Sequence, residues 1–319
     1  KRDWSSDVCS SDLAGGVTNA VTKSGTNDIH GDAFYFRRDN RWGARNPLAF
    51  RTVIVPNSSG GTTTQRVGIK PEDVRQQFGG TVGGPIIQNK LFYFLSYDQQ
   101  RRNFPGLGIF STPTYLDTVN RTLLQASPRS LSTAQIDDTL SFLNSLTGST
   151  PRRGDQTLVL PKTDWQIDRK HMFTANANRL RWNSPAGVQT TGTVVRGRGS
   201  FGDDFVKVDW GTARLVSTLS SKVVNEARFQ YARDFEYQIS QAPLAGEPRT
   251  GPGGSAPDVF LTNGIEFGKP TFLERRKYPE EKRAQFTDSI TLAMGNKTLK
   301  TGFDINHVSD TLSNLFTEG

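Results

Sequence analysis

Apolar and polar positions alternate along most of the chain. In 299–305, Leu299, Thr301, Phe303 and Ile305 share one face while Lys300, Gly302 and Asp304 share the other. In 285–294, Phe286, Ile290, Leu292 and Met294 oppose Gln285, Thr287, Ser289 and Thr291. Val223, Ala227, Phe229 and Tyr231 oppose Glu226, Arg228 and Gln230 in 223–231, and Val206, Val208 and Trp210 oppose Lys207 and Asp209 in 206–210. A period of two is that of a strand with one apolar and one polar face. With 29–38, 74–84, 90–101, 157–167 and 171–183, the pattern predicts about nine strands, several near the ~9–11 residues that cross a membrane when tilted.

How these strands are joined narrows the fold. Tight turns are expected at Pro85–Asn89, Asp168–Lys170, Leu219–Ser221 and Gly295–Asn296, and long connections at 39–73, 102–156, 184–202 and 241–281. Short and long connections in strict alternation put every long loop at one end, as in outer-membrane barrels with short periplasmic turns and long extracellular loops. A soluble β-sandwich, whether a binding protein or an enzyme, is the alternative, but compact domains rarely carry loops beyond about 12–15 residues.

The longest loop carries helical signals of its own. Ser132 and Gln135 have capping-box spacing, Ile136, Leu140 and Leu143 follow at helical intervals, and Gly148 is placed to end that helix. Thr112-Pro113 reads as a cap with proline at the first helical position, followed by Leu116, Val119 and Leu123. Both apolar stripes are expected to pack against a loop or the barrel rim rather than to form a ligand groove.

Composition changes this picture only in part. Hydrophobic residues make up 34% and the mean hydropathy is −0.53, yet a barrel with a polar lumen keeps mean hydropathy low. No apolar run approaches the ~18 residues of a membrane-spanning helix. The formal charge of +8 raises nucleic-acid binding, but basic residues are mixed with acids, as in LERRKYPEEKR at 273–283, so a solvated surface is expected and no nucleic-acid partner.

The single cysteine, Cys9, lies in KRDWSSDVCSSDL. The stretch lacks the apolar core of a signal peptide. Residues 4–13 correspond to an in-frame translation of a short-read sequencing adapter, TGG AGT TCA GAC GTG TGC TCT TCC GAT CT plus one base, so 1–13 are read as an adapter artefact. Disulfide, thiolate and cysteine–metal chemistry leave with Cys9.

Two segments carry a family resemblance. GGVTNAVTKSGTNDIHGDAFYFRRDN at 15–40 resembles the junction of plug domain and first barrel strand in TonB-dependent outer-membrane receptors. RQQFGGTVGGPIIQNKLFYFLSYDQQRR at 75–102 is similar to the next hairpin of the large Oar-like receptors of Acidobacteria and related Gram-negative bacteria, which carry a carboxypeptidase-regulatory-like domain upstream. The resemblance implies an incomplete transmembrane antiparallel β-barrel, all-β, with 14–27 as the C-terminal end of a plug and 28–319 as the N-terminal part of the barrel. It implies a Gram-negative outer membrane, surrounding lipid, a TonB-type energy-coupling protein acting through segments upstream, and a substrate, such as a glycan or peptide, bound by extracellular loops. The last residues, LSNLFTEG, lack the terminal aromatic common in such barrels, and about nine strands is fewer than half the 22 of the family, so the chain is read as an internal fragment. Without the family, Gly79, Gly80, Gly83 and Gly84 mark places where strands bend or something packs closely on the wall. Tyr93, Tyr97, Trp165, Trp182 and Trp210 fit an interfacial aromatic girdle or, equally, a sandwich core.

Catalytic and cofactor chemistry is not expected. GRGSFG at 197–202 matches G-x-G-x-x-G, but a strand rather than a helix follows, so Gly197, Gly199 and Gly202 read as loop glycines. His30, His171 and His307 are dispersed, and Lys23-Ser24-Gly25 has no accompanying S-x-x-K nucleophile. Asp137-Asp138 and Asp203-Asp204 are adjacent rather than spaced for acid–base work. No catalytic, cofactor-binding or metal residue is assigned, and the substrate-binding residues are not specified. The leading expectation is substrate uptake; a surface adhesin or glycan-binding barrel that transports nothing is the alternative.

Overall fold

The computed structural model describes residues 22–45, 50–56, 58, 62–112, 115, 118–277 and 279–312. The adapter reading of 1–13, and 14–21 of the expected plug end, lie outside the described residues. Nine strands form one antiparallel sheet, each paired with the next along the chain. They are β1 (His30–Asp39), β2 (Val74–Ile87), β3 (Leu91–Asn103), β4 (Arg153–Gln166), β5 (His171–Ser184), β6 (Asp203–Ser220), β7 (Val223–Ile239), β8 (Glu280–Met294) and β9 (Lys297–Thr311). Every expected strand is present, and most run further than the alternation alone indicated: β6 has 18 residues and β7 has 17. A tilted span needs only about 9–11, so these strands extend well past any bilayer.

The turns follow from local chemistry. After β4, Asp168 Oδ1 accepts hydrogen bonds from the amides of Lys170 at 2.7 Å and His171 at 3.0 Å, the side-chain-to-backbone pattern that favours aspartate in turns. Gly295 takes φ +64 between β8 and β9, where a side chain would be strained.

Cross-strand register sorts side chains into two faces. On one, Tyr35, Phe78, Tyr97, Val159, Ala177, Tyr231 and Phe286 belong to a belt that continues from strand to strand. On the other, polar residues bond across neighbouring strands: Thr81 to Asp32 at 2.6 Å, Gln77 to Asp98 at 2.8 Å, Thr174 to Asp164 at 2.8 Å, and Thr212 to Asn176 at 2.7 Å. Apolar outside and polar inside is the arrangement of a membrane barrel. A sandwich would bury the apolar face against a second sheet, whereas Phe303 and Ile305 remain 53% and 62% exposed. The sheet has edges at β1 and β9, so it is an arc of a barrel wall rather than a closed one; unpaired edges are costly in lipid.

The buried apolar core lies in the loops. Leu143, Leu146, Ile265 and Phe267 form one cluster, and Ala186, Val194 and Phe201 a second. Helix α1 (Thr118–Gln125) and helix α2 (Thr133–Ser145) lie in the β3–β4 connection. The capping box of α2 is present, and Ile136, Leu140 and Leu143 are its buried stripe, as its spacing required. One expectation needs correction. The cap of α2 is at Leu146 rather than at Gly148, which opens the short strand Gly148–Thr150. The expected start at Thr112-Pro113 falls where Pro113 and Leu116 lie outside the described residues, and α1 is described from Thr118. Just before it, the Tyr115 amide donates to Thr112 O at 3.0 Å, and the Tyr115 ring stacks on Phe110 at 5.7 Å within the first cluster. The β1–β2 connection, expected as a long loop, holds a hairpin, Phe50–Pro56 paired with Thr62–Gly68, encoded in its β-branched runs.

Candidate functional site: the inner wall and its cap

Three of the long connections fold into one cap over the loop end of the sheet. The short strand Gly106–Gly108 pairs with Gly148–Thr150 on one side and, in parallel, with Thr193–Val194 on the other. The third connection joins through Gly197, whose amide donates to Glu266 O at 2.8 Å, and through Arg198, whose amide donates to Leu146 O at 2.8 Å. GRGSFG is therefore the junction of the cap. A Cβ on Gly197 would lie 3.0 Å from Phe267, one on Gly199 2.9 Å from Leu244, and Gly202 takes φ +73. The loop reading of these glycines stands, and close packing is what requires them.

Arg152 ties the cap to the wall. Its guanidinium donates to Phe104 O at 2.9 Å and Thr191 O at 2.9 Å, and also to Gln189 O. It is 2% exposed and sits 4.4 Å from the Phe104 ring centroid, with Arg102 stacked at 4.1 Å on the same ring. Burial pulls the Arg152 pKa down to about 10, and the charge of Arg102 adds to the effect. Asp73 receives Arg102 in a paired contact of 2.8 and 2.9 Å, and this holds its carboxyl below the ordinary range. No spacing in the sequence marks Arg152, because its partners are backbone carbonyls 37 to 48 residues away.

Beneath the cap the alternation changes meaning. On the polar face, Leu158 lies opposite Leu180, and Leu180 opposite Val208, with Trp182 opposite Val206 one step nearer the loops. On the outer face at the same level, Arg179 is opposite Asp209, and Asp209 opposite Arg233. Above the belt the outside of the wall is charged and the inside is apolar. This corrects the girdle reading of two residues. Tyr93, Tyr97 and Trp165 lie on the belt face, but Trp182 and Trp210 are on the inner face. The Trp182 indole donates to Asp204 Oδ2 at 3.0 Å, and its ring occupies space left by Gly154. Trp182, Trp210, Leu180 and Val208, with Asn178 and Asp204, form an amphipathic patch suited to a solute that offers both flat apolar faces and hydrogen-bonding edges.

Toward the turn end, the inner wall carries the chain's first described residues. Lys162 donates to Ser24 Oγ at 2.7 Å and to Lys23 O at 3.3 Å. Asn27 and Asn89 bond side chain to side chain at 2.6 Å, and the Asn89 amide donates to Asn27 Oδ1 at 2.7 Å. Gly25 makes this approach possible, since a Cβ there would lie 2.3 Å from Tyr93 O and 2.8 Å from Gly84 O. Lys23-Ser24-Gly25 is thus a contact segment, and its lysine pairs with Asp32 at 3.4 Å. Of the remaining candidates, Asp203 accepts from the Ala186 amide at 2.7 Å and His171 contacts Ser217 Oγ at 2.9 Å.

Comparison with known proteins agrees with this architecture. The model of the outer membrane beta barrel domain matches residues 21–119 and 104–319. The TonB-dependent transporter Oar of Myxococcus xanthus is 23% identical over 340 residues, covering 92% of this chain. The chain spans 30% of that relative's length.

Proposed function

This chain belongs to the outer membrane beta barrel domain family, and on that premise we propose that it is the early part of the barrel of a TonB-type active transporter, with residues 22–27 as the end of a plug. Its location is the outer membrane. The observation that carries the reading is the division of labour along one inner face: residues 23–24 are held by Lys162 toward the turn end, and an amphipathic patch leads up to a folded cap at the loop end. A solute captured at Trp182 and Trp210 enters once a periplasmic partner pulls the preceding plug away from the wall. A glycan or peptide of a few units has the required combination of stacking faces and hydrogen-bonding edges.

Uptake is tested on the complete receptor in cells. Fluorescent oligopeptides and oligosaccharides are offered to energised and de-energised cells, with and without Trp182→Ala/Trp210→Ala. Energy-dependent accumulation of one class, reduced at least about tenfold by the double variant, is expected for loss of two stacking contacts. The cap also fits a surface adhesin, since three connections build one folded unit. Surface binding that persists without accumulation would favour that second reading over transport.

A further inference from the structure

Two rows of like charge flank the amphipathic patch on the inner face, at the loop end of the wall. On one side Arg38 lies opposite Arg75, and Arg75 opposite Arg102, so three arginines stand side by side on β1, β2 and β3. Asp73 pairs with Arg102 at 2.8 Å. Among the described residues, neither Arg38 nor Arg75 has a carboxylate in salt-bridge contact. On the other side Asp234 lies opposite Glu281, and Glu281 opposite Asp310, on β7, β8 and β9. Like charges set directly opposite one another destabilise a sheet, so both rows call for a counter-charge.

The acidic side has a pre-arranged end next to the patch. One amide, that of Gln238, donates to Asp204 Oδ1 at 3.1 Å and to Glu236 Oε1 at 3.0 Å, while the Trp182 indole donates to Asp204 Oδ2 at 3.0 Å. Neutral donors thus hold two carboxylates together, and among the described residues no cation is in salt-bridge contact with either. Arg275 meets Gln238 through backbone hydrogen bonds of 2.8 Å. The two ends share a lateral row: Arg102 is opposite Gly154, and Ser184 is opposite Asp204 on the next pair of strands. The floor between them is low, with the Trp182 ring lying where a Cβ on Gly154 would stand. Three strand spacings, about 14 Å along the wall, separate the arginine row from the carboxylate pair.

We propose that the inner wall receives a short peptide with free termini, its carboxylate among Arg38, Arg75 and Arg102 and its ammonium at Asp204 and Glu236. The guanidinium fork matches carboxylate oxygens in pairs, and an ammonium with three N–H donors suits two carboxylates already fixed in place. About four residues cover the distance when extended at ~3.3–3.6 Å each, and an apolar or aromatic side chain between the termini meets Trp182 and Leu180. A neutral glycan would leave both charged ends without a counter-charge, so the wall favours the peptide. The inference rests on the Trp182 patch as the capture site and narrows its solute; it is independent of whether capture leads to transport.

The test uses the complete receptor purified in detergent and isothermal titration calorimetry. The probes are an alanine tetrapeptide with one phenylalanine, its N-acetylated form, its C-amidated form, and a neutral tetrasaccharide. Wild-type receptor should bind the free peptide, and each blocked form at least about tenfold more weakly. The charge variants should then cross. Arg38→Gln/Arg75→Gln should weaken the free and acetylated peptides about tenfold and leave the amidated one unchanged, whereas Asp204→Asn/Glu236→Gln should weaken the free and amidated peptides and spare the acetylated one. Arg179→Gln, on the outer face, should bind all three as wild type does, and heat-dependent gel mobility reports whether each variant keeps its barrel. Variants that keep their barrel but show no crossed pattern would overturn the proposal. So would equal binding of free and blocked peptides by wild type, or no peptide binding at millimolar concentration; these wild-type results decide the matter even if the charge variants misfold. Tetrasaccharide binding that replaces peptide binding and is lost in Trp182→Ala/Trp210→Ala would strike the peptide while leaving the capture site standing.

Discussion

The ammonium of Lys162 lies 2.7 Å from Ser24 Oγ, joining the middle of the wall to a segment 138 residues earlier in the chain. The contact is sheltered, since the Lys162 side chain is 9% exposed and has Asp164 at 3.7 Å. Replacing it with glutamine removes a charge-assisted hydrogen bond worth about 1.5 kcal/mol. In the complete receptor, Lys162→Gln should let amides between residues 24 and 29 exchange about tenfold faster with the barrel's gel mobility unchanged. Unaltered exchange would mean that this contact does not hold the segment.

The glycines of β2 separate wall assembly from segment docking. A Cβ on Gly79 would lie 2.1 Å from Tyr97 O, a backbone atom of the neighbouring strand that cannot step aside. On Gly83 the nearest atoms are Phe94 Cδ2 at 3.2 Å, Tyr93 O at 3.3 Å and Gly25 Cα at 3.4 Å. Gly79→Ala should therefore lower the temperature of the gel-mobility transition, with overpacking costs of about 1–3 kcal/mol. Gly83→Leu should mainly raise exchange in 24–29. Equal effects of both substitutions on the transition would contradict this assignment.

The same glycines indicate which features a sequence can show. Strands were readable because lipid and lumen impose opposite requirements on successive residues, as at Phe229 and Gln230. That rule fails past the bilayer, where β6 continues with Lys207 outward and Val206 and Val208 inward. Trp182 and Trp210 therefore showed the same alternation as Tyr97 but lie on the inner face. The capping box of α2 was readable because it is local, whereas the packing of Tyr115 against Gly264 was not, because that glycine lies 149 residues further on. The cap was least readable, because its strands pair between connections that a sequence presents as separate loops.

Arg152 should be indispensable to that cap. Arg152→Met keeps much of the side-chain volume but leaves the carbonyls of Phe104, Gln189 and Thr191 without their donor. Each buried group left unpaired costs about 1–3 kcal/mol, so the cap should become protease-sensitive between 104 and 152 while the barrel survives. Arg152→Lys should not rescue it, because an ammonium cannot present the same planar fork. A fully protected cap in either variant would refute this role.

The cap should also respond to pH, through Asp258 and Glu266. Both carboxyls lie near Arg196, whose guanidinium is 2.6 Å from Glu266, yet burial pushes each above its ordinary value despite that charge. A raised carboxyl pKa means that the folded cap binds more protons than the unfolded chain once pH exceeds the unfolded values, near 3.8 for the aspartate and 4.5 for the glutamate. Stability of this corner must then fall as pH rises through that window and stay reduced above the folded values. Asp73, in the β1–β2 connection, works the other way: Arg102 depresses its pKa, and its contribution is lost as pH falls. The amides of Gly197 and Leu261, bonded to Glu266 O at 2.8 Å and Ile265 O at 3.1 Å, report the corner alone. Corrected for intrinsic chemistry, their protection should be lower at pH 7 than at pH 4.5, and Asp258→Asn, which retains an oxygen for the Thr271 amide, should flatten the difference. Protection that increases with pH at these two amides would show that the pair with Arg196 outweighs burial.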